Sequence, residues 1–397
     1  MTEAILTLNT GSSSIKAALY PLETGAMAGT PSVRATVSGL DSEPVLRVMR
    51  AGSTLAEERF EALRGPGQAV EILLDRLMPL TEEYALAACG HRIVHGGRSF
   101  SGPVVLDDAS IATLTSLSSL APGHQPENLG GVKAARLRWP SVPQTASFDT
   151  AFHATCPAIA RYYGLPREML EDGIIRYGFH GLSYDYIAGT LPAFLEEWDR
   201  HRVIVAHLGS GASMCALKNG ASIATTMGFT ALDGLPMGTR CGDIDPGVLL
   251  YLLEEKGLTP AQISDCLYRR SGLLGLSGIS SDMRELEASD APQGREAIDY
   301  FVYRCGREIG SLTAALGGLD ALVFTGGIGQ NSALVRGRIV TEAGWLGFVL
   351  DDRANNAGNG RITAAGNGPS AWVVPTDEEL VIARQAWQLV SEQDSKS

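Results

Sequence analysis

No Cys-x-x-Cys pair occurs in the 397 residues, and the six cysteines (Cys89, Cys156, Cys215, Cys241, Cys266 and Cys305) are scattered. That spacing suggests neither a zinc ribbon nor a disulfide framework. Basic residues are in deficit, 32 Lys and Arg against 44 Asp and Glu, for a net charge of −12. Nucleic-acid and membrane-surface partners both want basic patches, so the balance argues against either. An anionic ligand is not excluded, because a local group of arginines overrides the global sign. The start, Met-Thr-Glu-Ala, lacks the basic opening of a signal peptide. The most apolar long stretch, 311–329, is broken by Asp320 and several glycines, so no membrane span is expected. A reduced, cytoplasmic, soluble protein is therefore the expectation. The rest is ordinary globular composition, 45% hydrophobic and 19% charged. The length exceeds what one core usually holds, so two domains are expected.

The chain is organised around Asn9-Thr10-Gly11-Ser12-Ser13-Ser14-Ile15-Lys16, which joins two short apolar runs. Two strand-like runs joined by a Gly/Ser turn read as a β-hairpin. Small residues let backbone N–H groups approach an anion, and hydroxyls add donors. The same arrangement returns at His207-Leu208-Gly209-Ser210-Gly211-Ala212-Ser213. Laying Asn9 on His207 sets Gly11 on Gly209, Ser12 on Ser210, Ala18 on Ala216 and Leu19 on Leu217, a displacement of half the chain. One strand–phosphate loop–strand unit per half predicts two related α/β domains facing one cleft, the outline of the actin/Hsp70/sugar-kinase fold.

Between and beyond these loops lie further polar punctuations. Residues 21–66 read as turn-rich extensions of the first sheet. Val70, Leu73, Leu74 and Leu77 have helical spacing and predict a helix over 68–78. Arg92, amid apolar residues beside Gly96-Gly97, is either a buried ion-pair partner or an anion clamp. His91 and His95 stand four apart, but a strand entering a Gly turn explains them better than zinc. Asp149 reads as an N-cap or a catalytic group. Of the seven histidines only His201 lies outside these loops, which a structural protein would have no reason to arrange. Asp245-Pro246 and Thr259-Pro260 open helices. A long helix over 295–316 ends at Gly317-Gly318. A buried strand over 320–324 runs into a loop, Thr325-Gly326-Gly327-Ile328-Gly329-Gln330-Asn331, with a helix from Ser332. Thr376 and Glu379 read as the capping box of the last helix, which leaves Glu378 unexplained.

Together these motifs resemble the acetate kinase family, including its propionate kinase relatives. The resemblance is carried by Leu-Asn-Thr-Gly-Ser-Ser-Ser-Ile-Lys at 8–16, His-Arg-Ile-Val-His-Gly-Gly at 91–97, Phe-Asp-Thr-Ala-Phe-His at 148–153 and Tyr-Gly-Phe-His-Gly at 177–181. It continues through His-Leu-Gly at 207–209, Met-Gly-Thr-Arg at 237–240, Gly-Asp-Ile-Asp-Pro at 242–246, Thr-Gly-Gly-Ile-Gly at 325–329 and Thr-Asp-Glu-Glu-Leu at 376–380. The motifs span the whole chain in the family's order. The resemblance implies reversible, Mg²⁺-dependent transfer of the γ-phosphoryl of ATP to a short carboxylate, giving an acyl phosphate and ADP, with Mn²⁺ as a possible substitute. It implies Arg92, Asp149, His180 and Arg240 as catalytic residues. Lys16, Arg92, Val94, Gly123, His124, Phe179 and Ala231 would meet the carboxylate substrate. ATP would meet His207, Leu208, Gly209, Ser210, Gly211, Asp282, Met283, Arg284, Gly327, Ile328, Gly329, Gln330 and Asn331. Asn9 and Glu378 would serve the metal. An N-terminal domain over 1–150, rejoined by a final helix over 384–397, a second domain over 151–383, and a homodimer through that second domain are also implied.

The chemistry suits these residue types. A carboxylate is already ionised at neutral pH, so the task is to hold two anions together and stabilise an in-line transition state. Arg92 and Arg240 suit it as bidentate clamps. The chain departs from the family where Ser210, Gln330 and Tyr184 replace the common Asn, Glu and His. In the acyl pocket Gly123 replaces Leu and Ala231 replaces Pro. These last two changes remove volume and predict use of propionate or butyrate beside acetate. A more distant reading is a nucleotide-gated binding protein of the Hsp70/actin type, without turnover of a small acid.

Overall fold

The first hairpin forms where the apolar runs predict it. Strands β1 (Thr2–Thr10) and β2 (Ser14–Glu23) pair antiparallel, with Leu6 opposite Leu19 and Asn9 opposite Lys16. The computed structural model describes residues 1–11, 14–23, 26–40, 43–366 and 368–394, so Ser12 and Ser13 of the first loop lie outside the described residues. Two units emerge, Met1–Phe152 with the chain from Asp377 onward, and His153–Thr376.

In the first unit, residues 21–66 do extend the sheet, as β3 (Ala26–Met27), β4 (Val33–Ser38), β5 (Val45–Arg50) and β6 (Ser53–Arg59). With β7 (Tyr84–Ile93), β8 (Val104–Val105) and β9 (Gln144–Phe148), the order is β6-β5-β4-β2-β1-β7-β9-β8, with β3 pairing β2. Side chains alternate between the two faces. Ala4, Leu6, Leu8 and Cys89 join a core with Val70, Leu73, Leu74 and Leu77 of the helix Pro66–Thr81. Each of those leucines is fully buried, worth roughly 2 kcal/mol of transfer free energy apiece. The opposite face receives the closing helix, Glu378–Asp394. Gly90 makes that approach possible, since a Cβ there would lie 2.8 Å from Cγ2 of Ile382.

The second unit holds β10 (Arg202–Leu208), β11 (Ala212–Lys218), β12 (Ala221–Thr225), β13 (Ala321–Thr325), β14 (Gly360–Arg361) and β15 (Ser370–Val373), in the order β12-β11-β10-β13-β15-β14. Val203 to Ala206 and Ala321 to Phe324 are completely buried. Such unalternating apolar runs are what a sheet covered on both faces requires. The long helix is Pro292–Leu316, three residues longer at its start than expected because Pro292 opens it.

The two sheets repeat one plan. The series β4-β2-β1-β7-β9-β8 matches β12-β11-β10-β13-β15-β14 strand for strand. In each, a hairpin leads to two parallel neighbours and an antiparallel edge. This is the duplicated actin/Hsp70/sugar-kinase arrangement. The second strands, however, are out of step with the sequence alignment. Thr10 pairs Ile15, whereas Leu208 pairs Ala212, so the first turn is one residue longer. Leu19 therefore corresponds to Ala216, and the Ala18–Ala216 and Leu19–Leu217 identities do not coincide in space.

The division into units falls close to the expected one and differs in detail, and one expected helix cap is corrected. The return to the first unit comes at Asp377, not at 384, because residues 378–394 form one continuous helix that cannot be shared between units. The junction after the first unit follows Phe152 rather than 150. No Thr376–Glu379 capping box forms: the Asp377 carboxylate accepts from the Leu380 N–H at 3.0 Å and is itself the cap. That cap is tied down by Arg34, whose Nη2 donates to Asp377 at 2.7 Å.

Candidate active site

In the first unit, β1, β7 and β9 run parallel and end on one edge of the sheet. The carboxyl ends of parallel strands are where open α/β sheets bind ligands. Asn9, Arg92 and Asp149 come from these three ends. Arg92 makes a two-point ion pair with Asp149, Nε to Oδ1 at 2.8 Å and Nη2 to Oδ2 at 2.6 Å. Its Nη1 donates to Asn9 Oδ1 at 3.2 Å. Asn9 Nδ2 in turn reaches Glu378 Oε2 and Glu379 Oε1, each at 3.3 Å. Lys16 Nζ stands 3.6 Å from Glu379. Burial works against the Arg92 charge, but Asp149 outweighs it and holds the guanidinium firmly protonated. Both oxygens of Asp149 are thus engaged by Arg92.

Backbone supports fix this edge. Asn128, buried on the helix Gln125–Arg138, accepts from Val94 N at 2.8 Å and donates to Thr10 O at 2.6 Å, tying the ends of β7 and β1 together. Gln125 clamps His95 through both of its backbone groups. Val94 is buried. His124 precedes the helix, and Gly123 is exposed, with no heavy atom within 4 Å of a Cβ placed on it.

In the second unit the corresponding edge carries a different chemistry. The loop Gly209-Ser210-Gly211 follows β10, and Gly209 lies against Gly327, whose N would be 3.7 Å from a Cβ at 209. Gly238 N donates to Ser210 O at 3.1 Å, and Ser281 packs on Gly238. His180 Nε2 and Arg240 Nη1 would stand 3.1 and 4.0 Å from a Cβ on Gly211. His180 and His207 stack, with ring centroids 4.3 Å apart at 19°. His180 has a left-handed backbone (φ 59), uncommon for a residue with a side chain and concentrated at functional sites. Arg240 donates to the carbonyl of Ala231 at 2.9 Å. Phe179 is buried, and its carbonyl accepts from His153 Nε2.

The segment expected as a glycine loop is itself helical: Gly326–Asn331 forms a short helix straight off β13. Gly326 (φ 77) makes the turn, where a Cβ would lie 2.6 Å from Leu208 O. Gly327, Ile328, Gly329, Gln330 and Asn331 are all within that helix, and Asn331 Nδ2 donates to Gly327 O at 2.8 Å. Asp282 caps the helix Met283–Glu287 and pairs with the exposed Arg284 at 2.5 Å, while Met283 is buried.

The gathered histidines divide into two kinds. His91, His95 and His153 are buried, and burial pushes each down to about 4, so they are neutral parts of the core. His91 bonds Gln144 at 2.7 Å and His153 bonds Ser222 at 2.9 Å. Sequence reasoning also missed residues that act through others. Arg336 is fully buried and donates to the carbonyls of Gly329 and Gln330 at 3.0 and 2.7 Å, holding the end of the helix beside the glycine loop. Glu379 belongs with Asn9 and Lys16, and only the rejected capping box had concealed it. Ser183 and Ser213 hold His207 and His180 through their Nδ1 atoms, each at 2.8 Å.

The repeated strand order, with a glycine-bearing turn closing the hairpin of each sheet, places the chain in the actin/Hsp70/sugar-kinase class. Residues 4–384 match the model of the acetokinase family. The chain is 52% identical over 393 residues to an acetate kinase of Rhodopseudomonas palustris, covering 98% of this chain and 99% of that one. It is 48% identical over 397 residues to an acetate kinase of Nitrobacter hamburgensis, covering 100% and 98%. Among solved structures it is similar to a propionate kinase from Francisella tularensis (35% identity, TM-score 0.88, 98% and 100% covered). It is also similar to the acetate kinase of Porphyromonas gingivalis (36%, 0.83, 98% and 100%). The chain belongs to the acetokinase family.

Proposed function

We propose that the protein catalyses reversible transfer of the γ-phosphoryl group of ATP to acetate, giving acetyl phosphate and ADP. The observation that carries this reading is the second unit's cradle, where His180 Nε2 and Arg240 Nη1 both approach the Gly209–Gly211 loop in a member of the acetokinase family. The γ-phosphoryl binds there, with the phosphates of ATP along Gly209–Gly211 and the start of the Gly326–Asn331 helix. His180 and Arg240 donate to the oxygens on which charge builds. Arg92 holds the acetate carboxylate, and Asp149 orients Arg92 rather than taking a proton, because the ionised substrate has none to give. Of the other residues that the family resemblance assigns to the acid, Lys16, Val94, Gly123 and His124 belong to the first unit and Phe179 and Ala231 to the second.

The oxygens near Asn9 fit a hard divalent cation only in part. Among the described residues no three His, Cys, Asp or Glu side chains gather in a metal-binding group. Mg²⁺ keeps several waters and takes one or two carboxylates plus substrate phosphates. Asn9 turns its Nδ2 toward Glu378 and its Oδ1 toward Arg92, so Glu378 is the better-placed ligand and Asn9 would serve only after its amide turns over. Mg²⁺, or Mn²⁺ in its stead, would offset the charge of the transferring phosphate.

A homodimer through the second unit is part of this proposal. The helix Pro246–Glu254 buries none of its residues and exposes Val248, Leu250, Tyr251 and Leu253, an apolar face suited to an identical partner. No helix among the described residues is long and apolar enough to cross a membrane. Work in the cytoplasm is supported by cysteines that are all free thiols.

A second reading, preference for propionate or butyrate, is favoured by the open space at Gly123. The deciding experiment incubates the protein with ATP, Mg²⁺, acetate and hydroxylamine. Acetyl hydroxamate is expected. ATP hydrolysis without hydroxamate from any short acid would instead support a nucleotide-gated protein of the Hsp70/actin type.

A further inference from the structure

The reading of His180 as a donor requires its Nε2 to carry a proton, and the helix Gly181–Thr190 supplies a device for that. His180 Nδ1 lies 2.8 Å from Ser213 Oγ, and the same oxygen lies 2.5 Å from the hydroxyl of Tyr184. Tyr184 and Ser213 are both completely buried. A phenol is a stronger acid than an aliphatic alcohol, so the short bond runs with Tyr184 donating to Ser213. The serine proton is then directed at His180 Nδ1, which accepts it. A neutral imidazole that accepts at Nδ1 donates at Nε2. Burial pushes the Tyr184 hydroxyl well above its usual range, so it keeps a proton to donate.

We propose that Tyr184 is a positioning residue which, through Ser213, holds His180 in the tautomer whose Nε2 carries the proton. This rests on His180 acting as the phosphoryl donor. It concerns a position where the family commonly carries His, and it explains how this chain dispenses with it. An imidazole at 184 carries an N–H that can donate to Ser213 in the same sense. The phenol adds a direction that does not change with pH. Packing does not account for the hydroxyl: the Tyr184 ring meets the His153 ring edge-on at 5.6 Å, a contact a phenyl ring keeps.

The test uses the full-length protein labelled with ¹⁵N-histidine, with the His180 resonances assigned by their loss in His180→Gln. In the unmodified protein the nitrogen shifts are expected to show a protonated Nε2 and an unprotonated Nδ1. In Tyr184→Phe the two nitrogens are expected to move toward each other as tautomers mix. The hydroxamate assay should then show kcat lower by about fivefold, the scale of one hydrogen bond, with KM for ATP and acetate unchanged. Tyr184→His should restore both readouts. A His180 already protonated at Nδ1 overturns the proposal, as does a Tyr184→Phe protein with unchanged shifts or unchanged kcat. If the unmodified protein makes no hydroxamate, the kinase reading falls, and the nitrogen shifts alone decide what Tyr184 does.

Discussion

The two sheets share a strand order and differ in what they place at the same edge. The first gathers full charges: Arg92 locked on Asp149, with Asn9, Lys16, Glu378 and Glu379 around them. The second presents glycine backbone, two stacked imidazoles steadied by serines, and one arginine bonded to a carbonyl. The difference teaches that duplication copies the scaffold and leaves the chemistry to the ends of the strands. A charged cluster suits the capture of a small carboxylate and a cation. A neutral, donor-rich loop suits an extended polyphosphate, which needs N–H groups more than a single countercharge.

The sharpest way to break the comparison is to remove one arginine from each side. Arg92→Ala leaves the buried Asp149 carboxylate without its two-point partner. We expect a loss of about 3–5 kcal/mol in stability, the usual consequence of orphaning a buried ion, together with loss of activity. Urea unfolding checks the first effect and the hydroxamate assay the second. Arg240→Ala takes a donor from the Ala231 carbonyl and the Met237 sulfur, and leaves no buried carboxylate behind in the way Arg92→Ala does. It should stay folded with kcat lower by about 10²–10³, and Lys should rescue it poorly because it lacks the planar fork. If Arg240→Ala kept near-normal kcat, the donor role assigned to the second edge would be wrong.

A smaller effect tests whether both units rely on neutral histidines. His91 and His95 in the first unit and His153 in the second are depressed to about 4, against about 6.5 in an unfolded chain. The unfolded state therefore binds more protons between those values. Stability is complete above about pH 6.5 and is lost as pH falls toward 4, by about 2 kcal/mol for each histidine at pH 5. The urea midpoint should fall accordingly between pH 7 and 5, and His153→Gln should flatten the slope. A midpoint independent of pH over that range would show that these rings are not held neutral.

How much of this could be read beforehand differs between scaffold and site. The hairpins, the helix Pro66–Thr81 and the capped helices at Pro246 and Pro260 follow from periodicity and local capping, which short stretches encode. The residues Asn9, Arg92, Asp149 and Glu378 were legible through motifs, and the structure brings them together. Their pairings were not: whether Arg92 clamps an anion or a carboxylate depends on β7 and β9 lying side by side, a contact 57 positions apart in the chain. Glu379 was misread because Thr-x-x-Glu is a local pattern, whereas its partners Asn9 and Lys16 lie at the other end of the sequence. The histidine cluster misled for a similar reason, since burial decides between core and donor and no spacing reports burial. The turn-length difference between the two hairpins escaped because a one-residue insertion leaves the glycine matches intact.

The smallest expected effect concerns the acid itself. Gly123 stands where the family commonly has Leu, and a Cβ there meets no heavy atom within 4 Å. Gly123 is exposed and directly precedes His124, which leads into the helix Gln125–Arg138. One methylene in an apolar pocket is worth roughly 1–3 kcal/mol when it fits, and in a tight pocket it becomes a clash. We therefore expect propionate to be used at a kcat/KM within about tenfold of acetate's or better, and butyrate to be detectably phosphorylated. A side chain at 123 can start without a clash at its Cβ, so Gly123→Leu should fold normally and move preference back toward acetate. The measurement is kcat/KM for the three acids on both proteins. A strong acetate preference in the unmodified protein, unchanged by Leu at 123, would show that the loop at Pro122 and Gly123 does not set the size of the acid.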